Sequence, residues 1–271
     1  MTLWRSTIGK KYVAAVTGAL LALFVVLHML GNLKAIEGPG HGNPAIDRYA
    51  HFLRTFGSPV LPHDFFWWII NIGLIVTFAL HLTAIGHLYV RNRRSKPRGH
   101  QTKHVRATLA ARTMPLTGAL LLAFLVFHIL QFTTLTIHPS HLAKGQVYAN
   151  MYGAFHLWWV VVIYVGAVVM LGFHINHGLW SGTQTAGIDN PDRNWMWRRL
   201  ATAVTLVTVI GFVLVPLLFA FDALPKPTQG LKLVHPPSAS VPQGRFTALT
   251  PSLTPQVGGT VTVTLTRTAQ P

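Results

Sequence analysis

Histidine is the residue type that stands out. The chain of 271 residues has fifteen, and four of them (His28, His81, His128 and His174) fall deep inside long apolar runs. An ionisable side chain inside a bilayer is costly and by default marks function. A single such imidazole is equally well a neutral group hydrogen-bonded to the next helix. Four together favour a shared task. Neutral imidazole is a good ligand for iron, and a b-type haem held by two histidines moves electrons without opening to substrate. The chain has no cysteine, which excludes disulfides, zinc–thiolate sites and any iron–sulfur cluster held by this chain alone. A cluster with two histidine ligands remains an alternative if a partner chain supplies the thiolates.

The elements that must position these residues are helices. Half of the chain (51%) is hydrophobic and only 10% is charged, against about 25% charged in a soluble domain. Five stretches are apolar and nearly free of charge: Tyr12–Asn32, Phe65–Val90, Thr113–Ile137, Phe155–Gly178 and Leu200–Phe221. Each has roughly 20 residues or more, enough as a helix to cross a ~30 Å hydrocarbon core. The expected fold is an all-α integral membrane protein of five transmembrane helices with a four-helix core bundle. The N-terminus, the second-to-third connection and the fourth-to-fifth connection hold three, eight and three Lys or Arg, against four in the two opposite loops. The positive-inside rule then places the N-terminus in the cytoplasm. Trp67, Trp68, Trp158 and Trp159 start spans on the outer side, as an aromatic belt would. Much of the net charge of +16 is therefore topogenic. Residues 1–224 read as the membrane domain. Residues 225–271 read as an irregular extracytoplasmic tail, with a strand-like alternation over Val261–Leu265. Within the first outer loop, Pro44–Phe56 reads as an amphipathic helix with Asn43 as N-cap and Pro44 at the first helical position.

Depth sorts the histidines into pairs. His28 and His128 lie some fifteen residues from the cytoplasmic starts of spans one and three, about 22 Å in. His81 and His174 lie toward the cytoplasmic ends of spans two and four. Each pair comes from non-consecutive helices, as in a bundle that clamps a cofactor. An internal repeat reinforces the pattern. TGALLALFVVLHML (Thr17–Leu30) and TGALLLAFLVFHIL (Thr117–Leu130) agree at nine of fourteen positions, with Thr-Gly and His at the same offset. Small or polar residues share the faces of the deep histidines: Thr17, Gly31 and Asn32 with His28, Thr77 and Ala84 with His81, Ala167, His177 and Gly178 with His174. Such faces pack against protein rather than lipid. His87, His156 and His177 read as interfacial or supporting groups, and the remaining histidines lie in loops or the tail, where solvation explains them.

The run Ser6-x3-Lys10-Lys11-x5-Thr17-Gly18-x9-His28-x3-Asn32, followed by single deep histidines in three further spans, resembles the cytochrome b membrane subunit of succinate dehydrogenase and fumarate reductase. It is most similar to the branch in which one five-helix polypeptide carries two haems. The resemblance covers about residues 4–222. It implies one or two b-type haems, the outer on His28 and His128 and the inner on His81 and His174, the pairing that depth gives independently. It also implies a flavoprotein subunit that oxidises succinate, an iron–sulfur subunit that relays the electrons, and a membrane quinone as the substrate that receives them. No succinate site is expected on this chain. The implied location is the bacterial plasma membrane. Lys10, Lys11, Arg106 and Arg112 are available to inner propionates, and only Lys34, Arg48 and Arg54 to outer ones.

A quinone site needs an apolar slot with one or two polar groups. Trp4, Arg5, Ser6, Lys10 and Lys11 offer one at the cytoplasmic start of span one, where electrons arrive first; Glu37, Asp47 and Asp64 are the acids near the outer pair. For any one of these residues, topogenic or loop-end charge is a sufficient account. The basic connection Arg91–Arg106 suits an acidic soluble partner or anionic lipid. It has no aromatic interleaving, so nucleic acid is not an expected partner. Two other classes compete. Anchors of other quinone-linked dehydrogenases share paired histidines but lack the Thr-Gly…His…Asn start. A histidine-relay transporter or proton channel would more typically place acids at mid-membrane, and no Asp or Glu lies inside these five stretches.

Overall fold

The computed structural model of the chain describes residues 6–39, 42–95, 109–137 and 144–227, apart from the side chains of 109–112. All the described residues fall in one compact unit, Met1–Lys232. The expectations for Trp4, Arg5, Arg106, the Arg112 side chain, most of the basic connection and Val261–Leu265 fall outside the described residues.

Among the described residues the fold is all helical. Ser6 caps α1 (Thr7–Leu33), its hydroxyl oxygen accepting the Gly9 N–H at 2.8 Å. A 3-10 turn, Lys34–Glu37, follows. Next come α2 (Ala45–Thr55), α3 (Phe65–Arg94) and α4 (Leu109–His128), the last running on into a π-helical turn, Ile129–Thr133. A short α5 (Val147–Phe155) precedes α6 (Trp158–Thr185) and α7 (Asn194–Ala220). Five of these helices are long and apolar enough to cross a membrane, and they fall on the five expected stretches.

The boundaries differ from expectation for physical reasons. Helices one, two, four and five continue into polar residues that an apolar count leaves out. The third stops at Thr133 rather than Ile137, where Leu135 takes a left-handed φ of 57°. Phe155 belongs to α5, not to the fourth span. At α2 the N-cap is Pro44 rather than Asn43: its extended ψ of 143° turns its carbonyl to the N–H groups of Asp47 and Arg48. The Asn43 carbonyl instead receives the Arg48 guanidinium.

The stretch read as a simple loop between spans three and four contains α5, with Tyr148, Asn150, Met151, Ala154 and Phe155 buried. Its N-terminus is served from a distance, since the Tyr148 N–H donates to Asp47 Oδ1 at 2.9 Å. Partial burial pushes the Asp47 carboxyl up, against the pull of the Tyr148 and Val147 amides. Packing also runs past residue 224, because Tyr148 Oη donates to the Pro225 carbonyl at 2.7 Å and Leu224 is buried. Nearby, His156 Nδ1 donates to the Tyr152 carbonyl and Nε2 meets Asp222 Oδ1 at 2.8 Å. That hydrogen bond holds the Asp222 carboxyl below the usual range.

The expected core of spans one to four needs correction. α1, α6 and α7 form the centre, α3 packs on α1, and α4 packs on α6; α3 and α4 do not pack along each other. The reason is a stripe of small and polar residues on α7, Ala201, Thr205, Thr208 and Gly211, all buried. Small residues let backbones approach. A Cβ at Gly211 would overlap Met29, which is 1% exposed; one at Gly172 would lie 2.8 Å from Val209 Cγ2. α3, by contrast, buries only Ala84, so most of its surface faces outward. Gly211→Leu should therefore lower stability by about 1–3 kcal/mol through overpacking, read as a fall in the thermal unfolding midpoint of the detergent-solubilised protein. An unchanged midpoint would contradict the close α1–α7 contact.

Candidate metal centre

Each Thr-Gly pair of the internal repeat meets a histidine from the neighbouring helix rather than the one in its own repeat. Thr17 Oγ1 lies 3.2 Å from His81 Nδ1 and Thr117 Oγ1 lies 3.4 Å from His174 Nδ1. The glycines supply the clearance. A Cβ on Gly18 would stand 3.1 Å from His81 Cε1, and one on Gly118 would stand 3.5 Å from His174 Cε1. α1 thus cradles a ring from α3 in the same way that α4 cradles a ring from α6.

Hydrogen bonds bear on where the protons sit, and for His81 they decide it. The Thr17 hydroxyl donates to the Val13 carbonyl at 2.6 Å, so its oxygen accepts from His81. His81 Nδ1 also faces the Ala14 carbonyl at 3.2 Å, and a carbonyl can only accept. His81 therefore carries its proton on Nδ1. Thr117 can donate to the Met114 carbonyl at 3.1 Å, and its oxygen then accepts from His174 Nδ1 at 3.4 Å. In the second pair, Tyr164 Oη donates to Gln131 Oε1 at 2.8 Å, so it accepts from His128 Nδ1 at 3.0 Å. In His81 Nε2 is left as a lone pair, and His128 and His174 have the same nitrogen free when their Nδ1 donates. Metal-binding histidines are arranged in this way, with the other ring N–H tied to a protein oxygen.

His28 and His128 approach directly, with ring centroids 5.9 Å apart and planes at 82°. Two bonds of the usual metal–nitrogen length of about 2.0–2.1 Å, plus half a ring at each end, span a similar distance. The repeat also sets Phe24 against His28 at 5.6 Å and Phe124 against His128 at 5.9 Å, both near-parallel. Phe212, Phe132 and Tyr164 complete an aromatic cage with centroids 5.6–5.9 Å from one imidazole or the other.

Among the described residues no three His, Asp or Glu side chains converge on one point. Each pair therefore offers two ligands, and the rest must come from the cofactor itself or from another chain. The remaining expected residues are placed as follows. Lys34 pairs with Glu37 at 3.1 Å, Arg54 meets Asp64 at 3.4 Å and stacks over Trp67, and Arg48 is held by Asn43. The cations near His28 and His128 are thus already engaged, as are Glu37, Asp47 and Asp64. No ion pair involves Lys10 or Lys11 among the described residues, and Ser6 acts as a helix cap.

No family model, curated protein or solved structure matches this chain.

Sequence reasoning missed Tyr164, Gln131 and Phe212. Tyr164 is the one tyrosine deep in an apolar run, a signal that was available. Gln131 sits in a π turn, which periodicity does not reveal. Thr17→Val and Thr117→Val keep shape but remove a hydroxyl from Nδ1, leaving His81 only the Ala14 carbonyl and depriving His174 of the oxygen its Nδ1 meets. Each should weaken retention of bound metal about 10–100-fold, measured as metal per chain after graded chelator treatment. Full retention in both would show that the threonines only bond their own helices.

Proposed function

We propose that the chain is the membrane-embedded electron-transfer subunit of a succinate:quinone oxidoreductase in the bacterial plasma membrane. The observation that carries this reading is the set of three imidazoles whose Nδ1 each meets a protein oxygen, at two levels of one bundle, with the Ala14 carbonyl making His81 Nδ1 a donor. Thr17 and His28 are eleven residues apart on α1, which separates the levels by about 16 Å. A structural histidine needs only a partner; it does not need the opposite nitrogen kept clear.

In this reading His81 and His174 hold a b-type haem, with Lys10 and Lys11 as cations for its propionates. His28 and His128 hold a second iron centre, either haem or a cluster whose thiolates a partner provides. Iron held by imidazole exchanges single electrons between two valence states without a coordination site open to substrate. The chain's own residues bind and orient: threonine and tyrosine oxygens fix the rings, glycines make room for them, and the phenylalanine cage excludes water from one pair. The N-terminus is cytoplasmic. Flavoprotein and iron–sulfur subunits dock on that side, where the basic connection between α3 and α4 offers charge. Quinone is reduced near the start of α1, with Trp4, Arg5, Ser6, Lys10 and Lys11 as the polar groups at hand.

A reduced-minus-oxidised spectrum of the purified complex, with iron and haem quantitation, tests this. Haem with at least one equivalent of iron per chain supports it. Neither iron nor haem would overturn it and favour a histidine relay. In the double variant His81→Ala with His174→Ala, quinone reduction should be lost while succinate oxidation by artificial acceptors persists. Unchanged quinone reduction would refute the role of that pair.

A further inference from the structure

Tyr164 and Gln131 are both buried, at 7% and 1% exposure, and neither belongs to the four histidines. We infer that they are positioning residues that set which nitrogen of His128 carries its proton, and so whether the His28–His128 pair can take metal. The inference rests on the reading of His128 as a ligand.

The chain of hydrogen bonds has two possible senses. In the one with Gln131 Oε1 toward the tyrosine, Tyr164 Oη donates to Oε1 at 2.8 Å and accepts from His128 Nδ1 at 3.0 Å. His128 Nε2 is then a lone pair. If the amide turned over, Gln131 Nε2 would donate to Tyr164, Tyr164 would donate to His128 Nδ1, and the imidazole proton would move to Nε2. That tautomer cannot bind metal through Nε2. One tyrosine hydroxyl has a single proton, so the two senses exclude each other.

This sense leaves Gln131 Nε2 buried without a partner, and the turned amide would leave Oε1 so; only the first frees His128 Nε2 for a ligand. The backbone supports this role. The π turn starts at the residue after His128, with Thr134 N bonded to the Ile129 carbonyl at 2.9 Å, and turns Gln131 inward. Single π turns in α-helices are frequent at functional sites. Phe155 packs its ring on Tyr164 at 5.1 Å, which ties the tyrosine to α5.

The test uses the purified complex carrying Tyr164→Phe or Gln131→Met. The first removes the acceptor for Nδ1; the second frees the tyrosine to donate to it. Both should retain metal at His28–His128 about 10–100-fold less well, and what remains should show a shifted reduction potential. The signal of the His81–His174 centre should stay at the wild-type value and so report an intact fold. Wild-type occupancy and potential at His28–His128 in both variants would overturn the inference. Parallel loss of both centres in both variants would also overturn it, since the pair would then serve the fold alone. A wild-type complex with no metal at His28–His128 would defeat the parent reading instead.

Discussion

An imidazole has two nitrogens and, when neutral, one proton, and most of this structure follows from where that proton is held. For Nε2 to be a lone pair, Nδ1 must have an acceptor, and in an apolar interior acceptors are few. The chain finds them in threonine hydroxyls that have already given their own proton to the helix backbone, in the Ala14 carbonyl and in a tyrosine whose proton is committed to a glutamine. The neutral ring and its free nitrogen are built in by the partners, not by the histidine.

That requirement explains the backbone. A ring from one helix reaches the hydroxyl of another only where the intervening surface is bare, so glycine follows threonine in both halves of the repeat. The same economy of side chain recurs where α7 meets α1 and α6 at Gly211 and Gly172. Close approach by small residues does in this bundle what burial of large apolar groups does in a water-soluble core. Large apolar side chains such as Ile75, Val162 and Ile210 stay more than half exposed.

Much of the fold was legible from the run of apolar residues, because span length and charge exclusion are one-dimensional properties. The histidine pairs were legible because depth follows from counting along a helix. The repeat was visible, but its meaning was not: it pointed to Thr17 and His28 on one helix, whereas the bond forms between Thr17 and His81. Side-chain partners across helices depend on rotation and on which helices touch. That is also why a closed bundle of the first four spans was expected and a centre of α1, α6 and α7 was found. α5 was hidden because its nine residues are too few for periodicity to speak. Asp47 stood out only as an acid near the outer pair, and its carboxylate is the cap of that hidden helix.

The central proposal is that the deep histidines bind iron through Nε2, with Nδ1 of His81, His128 and His174 held by a protein oxygen. Pulsed electron paramagnetic resonance on complex grown with 15N-labelled histidine tests it most directly. The account predicts strong nitrogen couplings from two imidazoles at each iron centre, together with weakly coupled remote nitrogens that carry an exchangeable proton. Iron without histidine nitrogen coupling, or remote nitrogens without a proton, would contradict it.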